Sequence, residues 1–237
     1  MLFRFMVILS LGLLSVSAYA VEKSDLKTQK DKVSYSIGLD IGKNFKDQSI
    51  EIDAKLLAQG IQDAISGGKR LLTEEEIQGV MTAFRQEMQA KAAAQAKLVG
   101  DKNLKEGEAF LAENKKKKGV VTLPSGVQYK IITAGTGKKP KPTDTVTTNY
   151  KGTLIDGTEF DSSYKRGEAA TFPVQGVIPG WTEALQLMPV GSKWELVIPP
   201  ALAYGPRGAG QAIGPNATLI FEVELLSIQE EAKTPKQ

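Results

Sequence analysis

The distribution of proline divides this chain into two regions of different architecture. All eleven prolines lie within residues 119–237, and none lies within residues 21–118. Proline lacks a backbone N–H and clashes with the preceding helical turn, so a proline-free stretch of this length can form long helices, whereas a proline-rich one favours strands and loops. We therefore expect an α+β protein, with a helical amino-terminal region followed by a β-rich domain.

Apolar periodicity predicts two short helices in the first region. One covers about residues 31–47, and Asp53 can cap a second that stops at Gly67-Gly68. Their apolar stripes are Val33, Ile37, Ile41 and Phe45, and Leu56, Leu57, Gly60, Ile61, Ala64 and Ile65. Two short helices bury little surface in one chain, so residues 21–72 are predicted to be a symmetric dimerisation domain, with a compact monomeric helical hairpin as the alternative.

A long connecting helix is predicted over residues 73–118. The segment Thr73-Glu74-Glu75-Glu76 has the form of a capping box, in which the last carboxylate bonds the first backbone N–H. Apolar residues mark one face only in the first four turns, and a helix that is polar nearly all round is typical of a connection through solvent. Gly100 and Gly107 are expected to be weak points of this helix.

The amino terminus indicates export. Arg4, the apolar residues 5–16 and the small-residue site Ala18-Tyr19-Ala20 are the three parts of a secretory signal peptide covering residues 1–20. The apolar run is shorter than the roughly 20 residues of a membrane span, so no transmembrane span is expected. We expect a periplasmic protein, with outer-membrane association and the cell surface as open alternatives. Residues 231–237 are predicted to be a disordered tail.

The composition excludes several kinds of chemistry. The chain contains no Cys and no His, which removes Cys nucleophiles, triads with a His base and Cys- or His-ligated zinc. A net charge of +3 is too small to indicate nucleic acid. Two of the three carboxylates Asp156, Glu159 and Asp161 could form a glycosidase pair, but all three surround a predicted hairpin turn, where Asp is favoured for turn geometry. No metal and no cofactor is expected.

Residues 119–230 are predicted to form a bent antiparallel β-sheet wrapped on a short helix. Alternating apolar positions mark strands that begin near Val127, Val146, Trp194 and Leu219, and Asp156-Gly157 is a hairpin turn signal. The single helix is expected to take Gly180 as its N-cap. Its buried face would hold Trp181, Ala184, Leu185 and Met188.

Six aromatic residues fall near this helix in the predicted arrangement. They are Tyr150, Phe160, Phe172, Trp181, Tyr204 and Phe221. Such a group can line a concave apolar pocket, with Trp181 as its floor, or it can be ordinary core packing. The residues by themselves leave both interpretations open.

Five blocks of this region resemble, in order and spacing, the FKBP family of peptidyl-prolyl cis-trans isomerases. The blocks are residues 145–152, 156–163, 177–181, 203–205 and 216–225, within a match that covers about residues 120–228. Segments 31–38 and 180–189 are similar to the macrophage infectivity potentiator type of bacterial FKBP. The resemblance implies an isomerase of proline-containing unfolded or partly folded polypeptides. It also implies a homodimer joined through the amino-terminal helices, chaperone activity and binding of macrolide inhibitors of the FKBP class.

The family's site residues transfer by position onto this sequence. Asp161, Tyr204 and Trp181 are implied to be catalytic. The implied substrate-binding residues are Tyr150, Phe160, Phe172, Val177, Ile178 and Phe221, with the Ile178 backbone N–H as a donor to the substrate carbonyl.

One loop departs from the family's pattern. Ala209 stands where eukaryotic members commonly have His, and Arg207, Gly210 and Gln211 also differ, so substrate preference on that side is not carried over. The alternative function is a holdase chaperone or a surface binding protein that uses the pocket only as a peptide clamp.

Overall fold

The structure is a computed structural model that describes residues 23–68 and 70–229. The predicted signal peptide and the predicted tail lie outside the described residues. The chain divides into a first unit that ends at Ile77 and a second that begins at Gln78. Within the described ranges, no helix is both long and apolar enough to cross a membrane.

The first unit contains two short helices, as the sequence predicts. Helix α1 spans Gln29–Asp47 and helix α2 spans Ala54–Ser66, which a left-handed Gly67 follows. The Asp53 side chain accepts hydrogen bonds from two backbone N–H groups of the first turn of α2, which confirms it as the cap. Helix α1 begins before the predicted position because Thr28 is its cap.

Helix α3 spans Glu74–Asn114 without a break. The backbone N–H of Thr73 donates to Glu76 over 2.8 Å, and the Glu76 N–H donates to the Thr73 hydroxyl over 3.2 Å, which confirms the capping box. The helix ends before the predicted Lys118. The helix runs unbroken through Gly100 and Gly107, and both glycines are buried.

In the part of the second unit that the structure describes, seven strands form one antiparallel sheet. They are β1 Val120–Thr122, β2 Gln128–Thr133, β3 Thr145–Leu154, β4 Glu159–Ser162, β5 Ala170–Pro173, β6 Lys193–Ile198 and β7 Leu219–Gln229. Their order is β1-β2-β6-β7-β3-β4, and β5 pairs with β3. Two short helices accompany them, α4 (Ser163–Arg166) and α5 (Pro179–Leu185). The predicted α+β class is confirmed, but α4 makes a second helix where one was expected. Segments as short as β1, β5 and α4 show no periodicity in sequence.

The inner face of the sheet packs on α5. Strands β3 and β7 pair along their length, so that Tyr150 lies opposite Val223 and Gly152 opposite Phe221. The residues of α5 and the following turn that fill this face are Trp181, Ala184, Leu185 and Met188, all buried.

The start of α5 differs from the prediction. Ile178 is the N-cap and Pro179 occupies the first turn, where proline's missing N–H costs nothing. Gly180 has a packing role instead, because a Cβ there would lie 2.5 Å from Cγ2 of Ile198.

Candidate active site

A cavity of about 630 Å³ lies between α5, the inner face of the sheet and the loop after Tyr204. The side chains that the resemblance implies as site residues all line it, so the fold brings together positions that are scattered between 150 and 221 in sequence. Five further residues of the 209–213 loop tip and Gly176 complete the wall. The lining is mainly apolar and includes six aromatic rings, which suits a ring-shaped apolar ligand group.

Trp181 forms the floor of the cavity and is only 4% exposed. The rings of Tyr150 and Phe221 each stand edge-to-face to the indole with centroids 5.3 Å away, and Phe172 does so at 5.9 Å. Edge-to-face contacts favour a fixed arrangement of rings over a fluid one. The indole Nε1–H is buried and has no acceptor among the described residues, so it adds no polar group to the surface of the floor.

The wall beside this floor requires a glycine in β3. Phe160 and Phe221 pack edge-to-face with centroids 5.5 Å apart. A Cβ at Gly152 would lie 2.6 Å from the Phe160 ring and 2.8 Å from the Phe221 ring. Any residue other than glycine at position 152 would therefore displace both rings.

Three polar side chains form a network at one rim. The Tyr150 hydroxyl donates to Oδ2 of Asp161 over 2.5 Å, and Nη2 of Arg166 donates to the Tyr150 hydroxyl over 2.9 Å. Arg166 also forms an ion pair with Oδ1 of Asp161. The guanidinium lies 5.4 Å from the centre of the Tyr150 ring, where cation and ring attract.

This network sets the charge states at the rim. Burial by itself would raise the pKa of Asp161, but the hydrogen bonds from Tyr150 and Arg166 and the charge of Arg166 outweigh it and hold the pKa below its ordinary value. Burial, followed by the hydrogen bond to Asp161, raises the pKa of Tyr150. At neutral pH the rim therefore carries a carboxylate and a neutral phenol.

Arg166 is the polar residue that the sequence reasoning missed. It ends the one-turn helix α4, which the Ser162 hydroxyl caps by accepting from the Lys165 N–H. The signal available in sequence was its position five residues after Asp161, which brings the two together only once a helical turn joins them.

The loop after Tyr204 forms another part of the rim, and Tyr204 itself is 42% exposed. Backbone hydrogen bonds in both directions join Ala209 and Ile213 and close the loop tip over the cavity. Ile213, buried in this wall, is a second residue that sequence reasoning missed. At the floor's edge, the Ile178 carbonyl accepts from the Trp181 N–H over 2.9 Å.

Comparison with protein families matches both parts of the chain. Residues 30–131 match the family described as the domain amino terminal to FKBP-type peptidyl-prolyl isomerase. Residues 136–226 match FKBP-type peptidyl-prolyl cis-trans isomerase.

Curated relatives match over nearly the whole length. The protein named outer membrane protein MIP of Legionella longbeachae is 54% identical over 219 residues, which cover 92% of this chain and 94% of the relative. Peptidyl-prolyl cis-trans isomerase Mip of Coxiella burnetii is 46% identical over 223 residues, 94% of this chain and 96% of the relative. The crystal structure of FkpA from Escherichia coli is 41% identical and covers 86% of this chain and 98% of its own, with a TM-score of 0.66.

The chain belongs to the FKBP-type peptidyl-prolyl cis-trans isomerases. It is an enzyme of that class, whose substrates are proline-containing peptides. Within the family it has the two-part layout of an amino-terminal helical region followed by the isomerase domain, and it is similar over most of its length to the proteins named Mip and FkpA.

Proposed function

We propose that the cavity over Trp181 is the isomerase site, where X–Pro bonds of folding polypeptides rotate. The observation that carries this proposal is the set of three rings standing edge-to-face on an indole without a hydrogen-bond acceptor among the described residues. The prolyl ring of the substrate lies on Trp181, between the walls of Phe160, Phe172 and Phe221. Val177 and Ile178 close the side next to α5.

Rotation about the peptide bond needs no nucleophile. Its barrier of roughly 18–20 kcal/mol comes from amide resonance, which is lost when the bond is twisted by a right angle. A twisted amide has less charge separation than a planar one, so an apolar cavity stabilises the twisted state relative to the ground state. A chain that contains neither His nor Cys can therefore perform this reaction.

Fixed polar groups hold the substrate during rotation. The Ile178 backbone N–H and the Tyr204 hydroxyl donate to substrate carbonyls from opposite sides of the cavity. Asp161 acts electrostatically and orients Tyr150 and Arg166. Because its pKa is lowered, it is ionised at neutral pH and does not serve as a proton donor.

We further propose that residues 21–72 dimerise the protein, that α3 connects them to the isomerase domain and that residues 119–230 form that domain. Leu56 is 67% exposed and Ile65 is 80% exposed on α2. In α1 and α2, every residue of which the structure describes, no side chain is buried. Apolar stripes left in water favour a second copy as their cover. Two pockets on one dimer would give chaperone activity by avidity.

Export to the periplasm is part of the same proposal. The composition of residues 1–20 supports it, and a relative that is 54% identical bears the name outer membrane protein. Outer-membrane association and the cell surface are the alternative locations.

Macrolides of the FKBP class are the proposed inhibitors. A cavity of about 630 Å³ lies in the usual size range of drug-binding pockets. Such a ligand would occupy the floor over Trp181 and exclude the prolyl ring.

A proline-limited refolding assay tests the function. The mature chain should accelerate the slow refolding phase catalytically, and an FKBP-class macrolide should abolish the acceleration. Suppressed aggregation without faster refolding would support the peptide-clamp function instead. Acceleration that a saturating macrolide leaves unchanged would contradict the proposed site.

A further inference from the structure

One face of the end of α3 packs against the segment that precedes β7. Gly100, Asn103, Gly107 and Asn114 follow one another at helical spacing, and the two glycines and Asn114 are buried. The Asn114 amide donates to Gln128 over 2.9 Å, and Gln128 donates to the Leu111 carbonyl over 2.9 Å. The end of α3 is thus bonded to the isomerase fold.

The closest approach is to residues 215–218. The Asn103 side-chain amide donates to the Pro215 carbonyl over 2.8 Å. A Cβ at Gly107 would lie 2.2 Å from the Thr218 hydroxyl oxygen, and a Cβ at Gly100 would lie 3.2 Å from the Asn216 side chain. The two glycines therefore let the helix approach the loop, and Asn103 bonds to it.

The segment that α3 contacts is the base of the loop that walls the cavity. The Asn216 N–H donates to the Gly205 carbonyl over 2.8 Å, next to Tyr204. Asn216 has a φ of 53°, a left-handed conformation that asparagine adopts more readily than most residues. From Gly205 the chain continues to the tip at Ala209–Ile213, which lines the cavity.

This loop needs anchors outside itself. It contains glycine at positions 205, 208, 210 and 214, and glycine gives the backbone more conformations to lose on ordering. The floor residues lie on α5 and on regular strands, whereas the Tyr204 rim is held through residues 215–216. A change at α3 should therefore alter the loop side of the cavity more than its floor.

We propose that Asn103 is a positioning residue for the isomerase site and that, with Gly100 and Gly107, it sets the selectivity of the site for the residue before proline. Asn103 does not touch the substrate. It fixes Pro215 and Asn216, these fix Gly205, and Gly205 places Tyr204 and the loop tip. The inference rests on the proposed site, because selectivity can change only if this cavity binds the peptide.

The first test uses Asn103→Ala in the full mature chain, with Gln95→Ala as the matched control. Gln95 lies at an exposed position of the same helix, and its substitution by alanine also removes a side-chain amide. Two substrates are compared, one with Ala and one with Phe before proline. The ratio of their kcat/KM values does not depend on how much enzyme is folded, so loss of stability alone leaves it unchanged.

Asn103→Ala should change this ratio about three- to tenfold, the range of one net hydrogen bond. Amide exchange at Ala209 and Ile213 should accelerate by a similar factor, whereas exchange at Val223 in β7 should not. A ratio and loop exchange equal to those of Gln95→Ala would overturn the inference. If Trp181 and Asp161 variants retain activity, it is the proposed site that fails.

A second test uses compensation at Gly107. Gly107→Ala places a methyl group against the Thr218 hydroxyl and should shift the substrate ratio in the direction of Asn103→Ala. The Thr218 hydroxyl is buried and has no partner among the described residues, so Thr218→Ala loses no hydrogen bond to them. The double variant Gly107→Ala/Thr218→Ala should move the ratio back toward the wild-type value, because it removes the 2.2 Å contact and leaves one of 3.2 Å between the new Cβ and Cβ of residue 218. A double variant that behaves like Gly107→Ala would contradict the proposed contact.

Discussion

The Tyr150 hydroxyl donates to Asp161 over 2.5 Å, and this bond joins strand β3 to the neighbouring strand β4 at the rim of the aromatic cavity. The ring that carries the hydroxyl also stands edge-to-face on Trp181. One residue therefore connects the apolar floor to the charged rim. In the proposed mechanism the floor binds the prolyl ring and the rim acts electrostatically, so substitutions in one can be compared with substitutions in the other.

Removing the Tyr150 hydroxyl tests the rim without disturbing the floor. Tyr150→Phe keeps the ring but deletes the hydrogen bonds to Asp161 and Arg166. We expect kcat/KM to fall about three- to tenfold. The pKa of Asp161 should rise, because the lost bond lowers it in the wild type. Carboxyl carbon NMR measures that shift. Tyr129→Phe is the control, since Tyr129 stacks on Trp194 away from the cavity, and an equal loss there would count against the rim's role.

The electrostatic role of Asp161 predicts a particular dependence on pH. Its folded-state pKa lies below its ordinary value of 3.8, so the carboxylate is ionised throughout the range from about pH 5 to 9. Titration of Asp161 should therefore cause no change in the kcat/KM of the wild type over this pH range. Asp161→Asn should lower kcat/KM about tenfold without changing the profile's shape. A limb near neutral pH that Asp161→Asn removes would indicate proton transfer and contradict this role.

The same lowered pKa makes a prediction about stability. A carboxylate whose pKa is lowered by folding stabilises the protein above its unfolded pKa, and the contribution disappears as pH falls through the folded pKa. The difference in unfolding free energy between the wild type and Asp161→Asn should therefore shrink below about pH 4. Urea unfolding at a series of pH values measures it. If this difference in unfolding free energy grew on acidification, folding would not lower the pKa of Asp161.

The floor is tested by a pair of buried tryptophans. Trp181 and Trp194 are both buried, and neither indole N–H has a partner among the described residues. Trp181→Phe and Trp194→Phe should therefore destabilise the fold by similar amounts, about 1–3 kcal/mol. Only Trp181→Phe should lower kcat/KM, by about tenfold or more, because it shrinks the surface under the prolyl ring. Equal kinetic losses in both variants would remove Trp181 from the site.

The dimer is tested on the exposed face of α2. Leu56→Glu combined with Ile65→Glu places charges on the apolar stripe. It also removes two apolar side chains, and the burial of one Leu or Ile side chain contributes about 1.5–3 kcal/mol to association. Sedimentation of the mature chain should show a dimer for the wild type and at least a tenfold weaker association for the double variant. Gln62→Glu on the same helix is the control. A wild-type monomer would contradict the dimer.

Much of the local structure was predictable because it depends on neighbours in sequence. Asp53 and the capping box at Thr73 were identified from their spacing, and the structure confirms both. The four longer strands were found by alternation. The start of α5 was placed wrongly because Gly180 resembles a cap, whereas Ile198 on a distant strand is the reason for glycine there.

From the residues alone, the six aromatic side chains could line a cavity or be ordinary core packing, and only the pairing of the strands separates the two interpretations. Periodicity indicates that Tyr150 and Phe221 face inward, but it does not say that β3 pairs with β7 and brings both rings onto Trp181. Arg166 was missed for the same reason, since one turn of helix carries no periodic signal. The sequence of a single strand does not determine which distant strand it pairs with.

By itself the sequence determined the order of the longer helices and strands and their apolar faces, through the proline distribution, the caps and the two periodicities. By resemblance it also predicted a set of residues that the structure places around one cavity. Only the tertiary structure decided the meaning of Gly100 and Gly107. Read along the helix they cost stability, but beside residues 216 and 218 they are the positions that allow close approach. A glycine's intrinsic cost is local, whereas its packing benefit depends on a partner more than a hundred residues away.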